Sequence, residues 1–283
     1  MPPEARIVLD AGNLLGEGPI WDHQSQSLFW VDIHGRAIEC YQPEGSVHRR
    51  WQLPVRPSAL ARCADGASLL VAAEHGLGFF TPSTGQWSPW LQLEAPDQLP
   101  MNRTNDGRCD PQGRFWIGTM HDEVAERSGS LYRVEASGAV AVQLQGLGIP
   151  NTLAWSKDSF YFGDSLDQMV RRYPLGQDLN TESSQPLFAL PAGDACPDGS
   201  AIDAQGRLWT CIWDGARIDC HGPDGSLLQS IKLPVQRPTS CTFGGPDLDC
   251  LFITSSGRDL PGPNGALLAL DGLATGLPEP TFG

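Results

Sequence analysis

Four oxygen-bearing side chains recur at one spacing and form the first candidate for a chemical site. They precede an apolar anchor residue of a repeated segment by 11, 10, 9 and 10 positions: Glu17, Asn105, Asn151 and Asp198. Two carboxylates and two amides are hard ligands that suit Ca²⁺, Mg²⁺ or Mn²⁺, or Fe²⁺ or Zn²⁺ with water completing the shell. Each residue alone could be an ordinary turn former, as Asp198 before Gly199 would be. The shared spacing favours one common site.

The spacing belongs to a six-fold repeat. Each copy has an apolar, aromatic-rich core that ends in small or polar residues, and the copies are residues 26–33, 67–76, 113–120, 158–165, 206–213 and 249–256. Their anchors are Leu28, Leu69, Phe115, Phe160, Leu208 and Leu251, at intervals of 41, 46, 45, 48 and 43 residues. A period of about 40–50 residues is typical of a four-stranded propeller blade.

The residue types in the repeats indicate strands. The segments are short, rich in aromatic and β-branched residues, and bounded by turn formers such as CADG, DPQG and DAQG, which leaves no room for an amphipathic helix. We therefore predict an all-β fold, a six-bladed β-propeller with four-stranded blades and almost no helix, as a single domain over residues 1–283. The strand near residues 5–10 is expected to join the last blade and close the ring.

Equal phase in a propeller means equal radius and height, so the four polar side chains should converge at one mouth of the central channel. The two remaining repeats place Ser58 or Ala59, and Ser240 or Cys241, at the same phase. Because these residues are small, they would leave room for a ligand. The sequence thus predicts a pocket at this end of the ring.

Longer motifs surround these residues. They are LGEGPIW (15–21), NRTNDGRCDPQGRFWIGTM (102–120), GSLYRV (129–134), IPNTLAWSKD (149–158) and PDGSAIDAQGRLW (197–209). Over about residues 14–256 the chain resembles the gluconolactonase, senescence marker protein and regucalcin family of metal-dependent sugar lactonases. This resemblance implies a six-bladed propeller with one divalent metal in its central channel.

The resemblance also implies roles for particular residues. Glu17, Asn151 and Asp198 fall on the positions that hold the metal, and Arg103 and Asn105 on positions that bind the substrate. Glu123 has the spacing of a glutamate that contacts the sugar.

The implied chemistry is hydrolysis of an aldonolactone such as a glucono-, xylono- or arabinono-lactone. A metal with an open position polarises a carbonyl as a Lewis acid. Asp198 is expected to be both ligand and general base, and Glu17 only a ligand.

Two alternatives stay open. A metal-dependent phosphotriesterase or aryl esterase would use the same site, and a calcium-binding propeller would have no turnover. No G-x-S-x-G motif is present, so an α/β-hydrolase has no nucleophile. The six histidines form no metal-binding pair, although His75 and His121 follow anchors closely and could line the mouth. Trp30, Trp116 and Trp209 recur inside the anchor strands and are better explained as core than as a sugar platform.

Charge and composition bear on partners and location. The net charge of −14 disfavours nucleic acid and anionic membrane surfaces, and no apolar run approaches the ~18 residues of a membrane span. The amino terminus lacks a signal-peptide pattern. The eight cysteines show no zinc-site spacing and are interpreted as reduced core thiols of a cytoplasmic protein. The predicted partner is a small sugar lactone, with no obligate protein partner evident.

Overall fold

The computed structural model describes residues 4–95, 101–175, 179, 183–193 and 195–283. Six antiparallel sheets of four strands are arranged in a ring, which confirms the predicted six-bladed β-propeller. Within the described ranges, helix is confined to two three-residue 3₁₀ turns, Glu44–Ser46 and Ser165–Asp167, and neither could cross a membrane.

The strands follow chain order within each blade, from the channel outwards. Blade 1 contains β2 (Gly16–Asp22), β3 (Ser27–Asp32), β4 (Ala37–Gln42) and β5 (Val47–Gln52). Blade 2 contains β6 (Pro57–Arg62), β7 (Leu69–Ala73), β8 (Gly76–Thr81) and β9 (Gln86–Gln92). Blade 3 contains β10 (Asn102–Cys109), β11 (Phe115–His121), β12 (Gly129–Val134) and β13 (Val140–Leu147).

The second half of the ring repeats this order. Blade 4 contains β14 (Pro150–Trp155), β15 (Ser159–Asp164), β16 (Met169–Pro174) and β17 (Gln185–Ala189). Blade 5 contains β18 (Cys196–Ile202), β19 (Leu208–Trp213), β20 (Arg217–His221) and β21 (Leu227–Lys232). Blade 6 contains β22 (Pro238–Gly244), β23 (Cys250–Ser255) and β24 (Leu267–Asp271), with β1 (Arg6–Leu9) as its outermost strand.

The ring closes through its inner strands. Each first strand contacts the first strand of the next blade, and β22 returns to contact β2. The N-terminal strand β1 pairs antiparallel with β24, and Arg6 Nε lies 2.7 Å from Asp271 Oδ2. Strand β1 therefore covers an edge of the last blade that would otherwise expose unpaired backbone groups.

Aromatic and aliphatic side chains fill the spaces between blades. Trp30, Trp116 and Trp209 are all buried, as expected for core tryptophans. All eight cysteines are unpaired, and seven of them are buried. Cys196 is the exception, because it is only partly buried and lines the cavity described below.

Blades 3 and 5 each contain an aspartate that accepts hydrogen bonds from the turn before the second strand, β11 or β19. Asp203 accepts hydrogen bonds from the backbone N–H groups of Gln205 and Arg207, from Arg207 Nε at 2.6 Å and from Trp209 Nε1 at 2.9 Å. Asp110 makes the same set in blade 3. The repeated D-x-Q-G-R-x-W sequence thus couples a turn to a buried tryptophan.

Asp203→Ala is expected to lower the free energy of unfolding by about 3 kcal/mol, because it leaves the buried Trp209 N–H and the Arg207 guanidinium without their acceptor. Chemical denaturation followed by fluorescence measures the change. Asp224→Ala, at an exposed turn, is the control and should leave the midpoint nearly unchanged. Equal midpoints for wild type and Asp203→Ala would contradict the role assigned to this carboxylate.

In every blade, the pairing between the innermost strand and the second strand is irregular at the same height. The register with the second strand shifts after Glu17, Pro57, Thr104, Asn151, Pro197 and Pro238. Bulges re-aim side chains and frequently lie beside functional sites. The four polar residues found by spacing lie at four of these six irregularities, so one repeated distortion positions them together.

Candidate active site

One cavity of about 270 Å³ opens at the end of the ring where the inner-strand bulges lie. Five of the six residues proposed from the sequence line it: Glu17, Arg103, Asn105, Asn151 and Asp198. All five are buried within the protein, with 4–9% of their surface exposed. They come from the inner strands of blades 1, 3, 4 and 5, so residues far apart in sequence share one small volume.

A directed chain of hydrogen bonds fixes the amides. Arg103 Nη1 donates to Asn105 Oδ1 at 2.9 Å, and Asn105 Nδ2 donates to Asn151 Oδ1 at 3.0 Å. Asn151 Nδ2 donates to Ser165 Oγ at 2.8 Å, and the Ser165 hydroxyl donates to the Pro197 carbonyl at 2.7 Å.

The direction of this chain determines how both amides are oriented. The Ser165 hydroxyl uses its one proton on Pro197, so it must accept from Asn151. Asn151 Oδ1 accepts one bond and keeps a second lone pair. An amide oxygen is thus available for a cation.

Three carboxylates act on one another electrostatically in the channel. Burial, then the charges of Asp198 and Asp106, raise the pKa of Glu17 well above its ordinary value. Burial and the charge of Asp106 likewise raise the pKa of Asp198. Burial raises the pKa of Asp106, although Arg108 opposes the shift. Desolvated carboxylates that repel one another are stabilised by a cation placed between them.

This donor set fits a divalent metal. Within the described ranges, no three of the His, Cys, Asp and Glu side chains gather into a cation site. A divalent cation in this cavity would be held by the carboxylates of Glu17 and Asp198 together with an amide oxygen, which Asn151 offers. Oxygen ligands of this kind suit hard cations.

Left-handed backbone lies beside two of these residues, and at one of them it is strained. Gly18, which follows Glu17, has φ +53°, and Thr152, which follows Asn151, has φ +58°. Glycine adopts this left-handed conformation readily, whereas a β-branched residue rarely does. The buried Thr152 hydroxyl donates to the Asp198 carbonyl at 2.6 Å and links blade 4 to blade 5. Strain of this kind is characteristic of functional sites.

Asp122 occupies the place at the cavity where a glutamate is expected. It lines the cavity, and its Oδ1 accepts from Arg103 Nε at 3.0 Å. Arg56 donates to both Asp122 oxygens at 3.0 and 2.8 Å. Arg103 is therefore held by a carboxylate that is itself held by a second arginine.

Glu123 does not line this cavity and is exposed. The chain turns sharply after β11: the backbone N–H of Val124 bonds to the His121 carbonyl, and Val124 has a positive φ. The N–H of Glu123 donates to His121 Nδ1. The turn leaves Asp122 at the cavity and Glu123 outside it.

Some lining residues were not found from the sequence. His34, Trp213 and Arg258 lie on this cavity, whereas neither His75 nor His121 is among its lining residues. The small residues of the two remaining repeats, Ser58, Ala59, Ser240 and Cys241, are buried and do not line it. His34 follows its anchor Leu28 by six residues, the same spacing at which His75 and His121 follow their anchors, so spacing did not distinguish the histidine that lines the cavity. Arg258 lies beyond the repeated segment 249–256. Trp213 is the last residue of β19, and its position shortly after the anchor Leu208 is the only sequence signal that it could line the cavity.

The sequence is similar to those of two proteins that are named as sugar lactonases. It is 32% identical to a pentonolactonase of Haloferax volcanii, with 96% of each chain covered. It is 35% identical to a 6-deoxy-6-sulfogluconolactonase of Pseudomonas putida, over 89% of this chain and 86% of that one.

A solved structure agrees over the whole ring. The fold superposes with a TM-score of 0.91 and 29% identity on a calcium-binding protein, regucalcin, from Agrobacterium tumefaciens, covering 99% of this chain and 98% of that one. The family model for the SMP-30/gluconolactonase/LRE-like region matches residues 15–257, which include the whole set of cavity-lining residues proposed from the sequence. The protein is therefore a member of the SMP-30/gluconolactonase/LRE-like family.

Proposed function

We propose that the protein hydrolyses a sugar lactone to the aldonic acid in this cavity, with one divalent cation held by Glu17, Asn151 and Asp198. The observation that carries the proposal is the meeting of two buried carboxylates, an amide oxygen with one unused lone pair and an arginine in one cavity. The names of the pentonolactonase and sulfogluconolactonase relatives support the same reaction.

The cation, when bound, supplies Lewis-acid polarisation of the lactone carbonyl. Glu17 contributes a coordinating charge. Asp198 has a second part to play: it takes a proton from the water whose oxygen adds to the carbonyl carbon. The bond from that carbon to the ring oxygen then breaks, and Asp198 gives the proton to the ring oxygen, which becomes the hydroxyl of the open-chain acid.

Arg103 and Asn105 would bind the sugar. The Arg103 Nε and both Nη1 protons have protein acceptors, and no residue in the described ranges accepts from Nη2, so its two protons are offered to substrate oxygens. Asn105 uses both amide protons on Pro150 and Asn151, so it offers its Oδ1 to a sugar hydroxyl. Arg103 also adjoins the buried carboxylates and partly offsets their charge, since it opposes the rise in the Glu17 pKa.

Two other functions use the same residues. A phosphotriesterase or aryl esterase would accept apolar esters, but such a substrate offers no acceptor to the two Nη2 protons of the buried Arg103 and no donor to the remaining lone pair of Asn105 Oδ1, which is costly. A calcium-binding propeller without turnover would bind the cation only. The lactonase favours hydroxyl-rich substrates and is the function that these polar groups support.

A substrate panel tests the proposal. Aldonolactones and paraoxon-like esters are assayed side by side at near-neutral pH, with and without a chelator. We expect chelator-sensitive hydrolysis of the lactones and little of the esters. Preferential ester hydrolysis would support the phosphotriesterase, and cation binding without turnover on either substrate would support the calcium-binding propeller.

Asp122 is proposed to position Arg103, whereas the family resemblance assigns a sugar contact to Glu123. Asp122→Ala should lower kcat/KM for a lactone by about 10-fold or more while bound metal is unchanged, because Arg103 loses a charge-assisted hydrogen bond. Glu123→Ala removes the same charge one residue away and should have little effect. If Glu123→Ala gives the larger loss, Glu123 contacts the sugar as the family resemblance implies.

The eight unpaired cysteines support a cytoplasmic location. The six sheets form one ring, which supports a single domain.

A further inference from the structure

Charges of both signs line the cavity. Glu17 and Asp198 are the two carboxylates that a divalent cation would neutralise. Two arginines, Arg103 and Arg258, and the imidazole of His34 also line the cavity, together with Asp122.

Arg103 is already balanced by protein carboxylates. Asp122 bonds to both Arg103 and Arg56, and Glu74 Oε1 lies 2.6 Å from Arg56 Nε. Two arginines therefore face two carboxylates, and this group has no net charge left for a substrate.

Arg258 is not balanced in the same way. Within 4 Å, the one carboxylate recorded for it in the described part of the chain is Asp259, at 3.6 Å. The two side chains are 60% and 87% exposed, and a long pair in water contributes little. The guanidinium charge of Arg258 therefore remains available at the cavity.

The backbone that carries Arg258 is fixed. Its N–H donates to the Leu14 carbonyl at 3.2 Å, and its own carbonyl accepts from Arg237 Nη1 at 3.2 Å. The preceding Gly257 N–H donates to the Asn13 carbonyl at 3.0 Å. An available charge on a fixed backbone is suited to recognition, because less order must be gained on binding.

His34 orients the guanidinium. Arg258 Nη1 lies 3.2 Å from His34 Nε2, and because arginine can only donate, this nitrogen accepts. Burial, then the charges of Arg103, Arg258 and Arg56, lower the pKa of His34, against the opposing charge of Asp122, and so favour the neutral ring that this hydrogen bond requires. The neutral imidazole thus holds Arg258 without cancelling its charge.

We propose that the substrate is an aldonolactone that carries an oxyanion, a phosphate or a sulfonate, on the carbon remote from the lactone carbonyl, and that Arg258 binds this group. The proposal rests on the proposed lactonase function. A guanidinium pairs with such oxyanions through two parallel hydrogen bonds, which gives both affinity and geometric selection.

The test compares D-glucono-1,5-lactone with its 6-phosphate and with the 6-deoxy-6-sulfonate. We expect kcat/KM of the wild type to be at least about 10-fold higher for the anionic lactones. Arg258→Gln should lower kcat/KM for them by about 10- to 100-fold, and far less for the neutral lactone. Arg49→Gln, the same charge change on the outer strand β5, is the control and should preserve the preference.

The outcomes separate the two proposals. Hydrolysis of the neutral lactone with no preference for either anionic one, or an equal loss on all three in Arg258→Gln, overturns this inference alone. Hydrolysis of none of them overturns the lactonase function and this inference with it. A preference for only the phosphate or only the sulfonate supports the inference and identifies the group. The sulfonate-bearing lactone has a further use in this test. A sulfonate is a weak metal ligand, so a preference of the enzyme for this lactone reports binding by Arg258.

Discussion

Asp198→Asn is expected to lower kcat for lactone hydrolysis by about 10²- to 10⁴-fold, even when the divalent cation is saturating. Asparagine keeps a neutral oxygen that can still face the cation, so metal occupancy should fall much less than activity. It cannot take a proton from water, and this is the loss that kcat reports. Steady-state kinetics and metal analysis on the same samples measure both quantities.

The control for this variant is a carboxylate that the proposal gives no catalytic part. Glu44→Gln, on the exposed 3₁₀ turn of blade 1, removes one charge far from the cavity and should retain full activity. If metal-saturated Asp198→Asn turns over at nearly the wild-type rate, Asp198 is a ligand only and the water is activated without it.

Glu17→Gln should show the opposite pattern. Loss of a group that only supports a metal ligand typically lowers metal affinity by about 10- to 100-fold. Replacing a charged ligand itself by a neutral one should lower metal affinity by more than that. Activity at low metal should therefore be small, but kcat should recover when the cation is in excess, because Glu17 takes no proton. Titration of metal-free protein followed by calorimetry and by activity measures the two effects.

Failure of excess cation to restore kcat in Glu17→Gln would contradict a purely coordinating role. Unchanged metal affinity in both Glu17→Gln and Asp198→Ala would contradict the metal site itself. The contrast between loss of affinity and loss of turnover therefore separates the two carboxylates.

The ring and the site's membership were predictable from the sequence for a physical reason. A repeated blade places equal positions of its copies at equal height, so spacing alone groups Glu17, Asn105, Asn151 and Asp198. The assignment of three of them to a metal is what the family resemblance implies. The anchors proved to lie in the second strand of each blade, and the grouped residues in the inner strands that meet around the channel.

Other parts of the site follow from local geometry that periodicity does not encode. The turn after β11 decides that Asp122, and not Glu123, reaches the cavity. The left-handed backbone at Thr152 is unusual for a β-branched residue and could not be foreseen from its type. Arg258 lies in a loop after β23, outside the repeated pattern, so only the fold brings it to His34.

We propose that one cation, held by Glu17, Asn151 and Asp198, is required for lactone hydrolysis. A cation titration of metal-free protein, in which bound metal and lactone hydrolysis are measured together, tests this most directly. The metal-free protein should be inactive, and activity should rise in proportion to bound metal and level off at one equivalent per chain. Asp198→Ala should show neither the binding nor the activity at the same concentrations. Lactone hydrolysis at the full rate by metal-free protein, or activity that follows a stoichiometry other than one, would contradict the account.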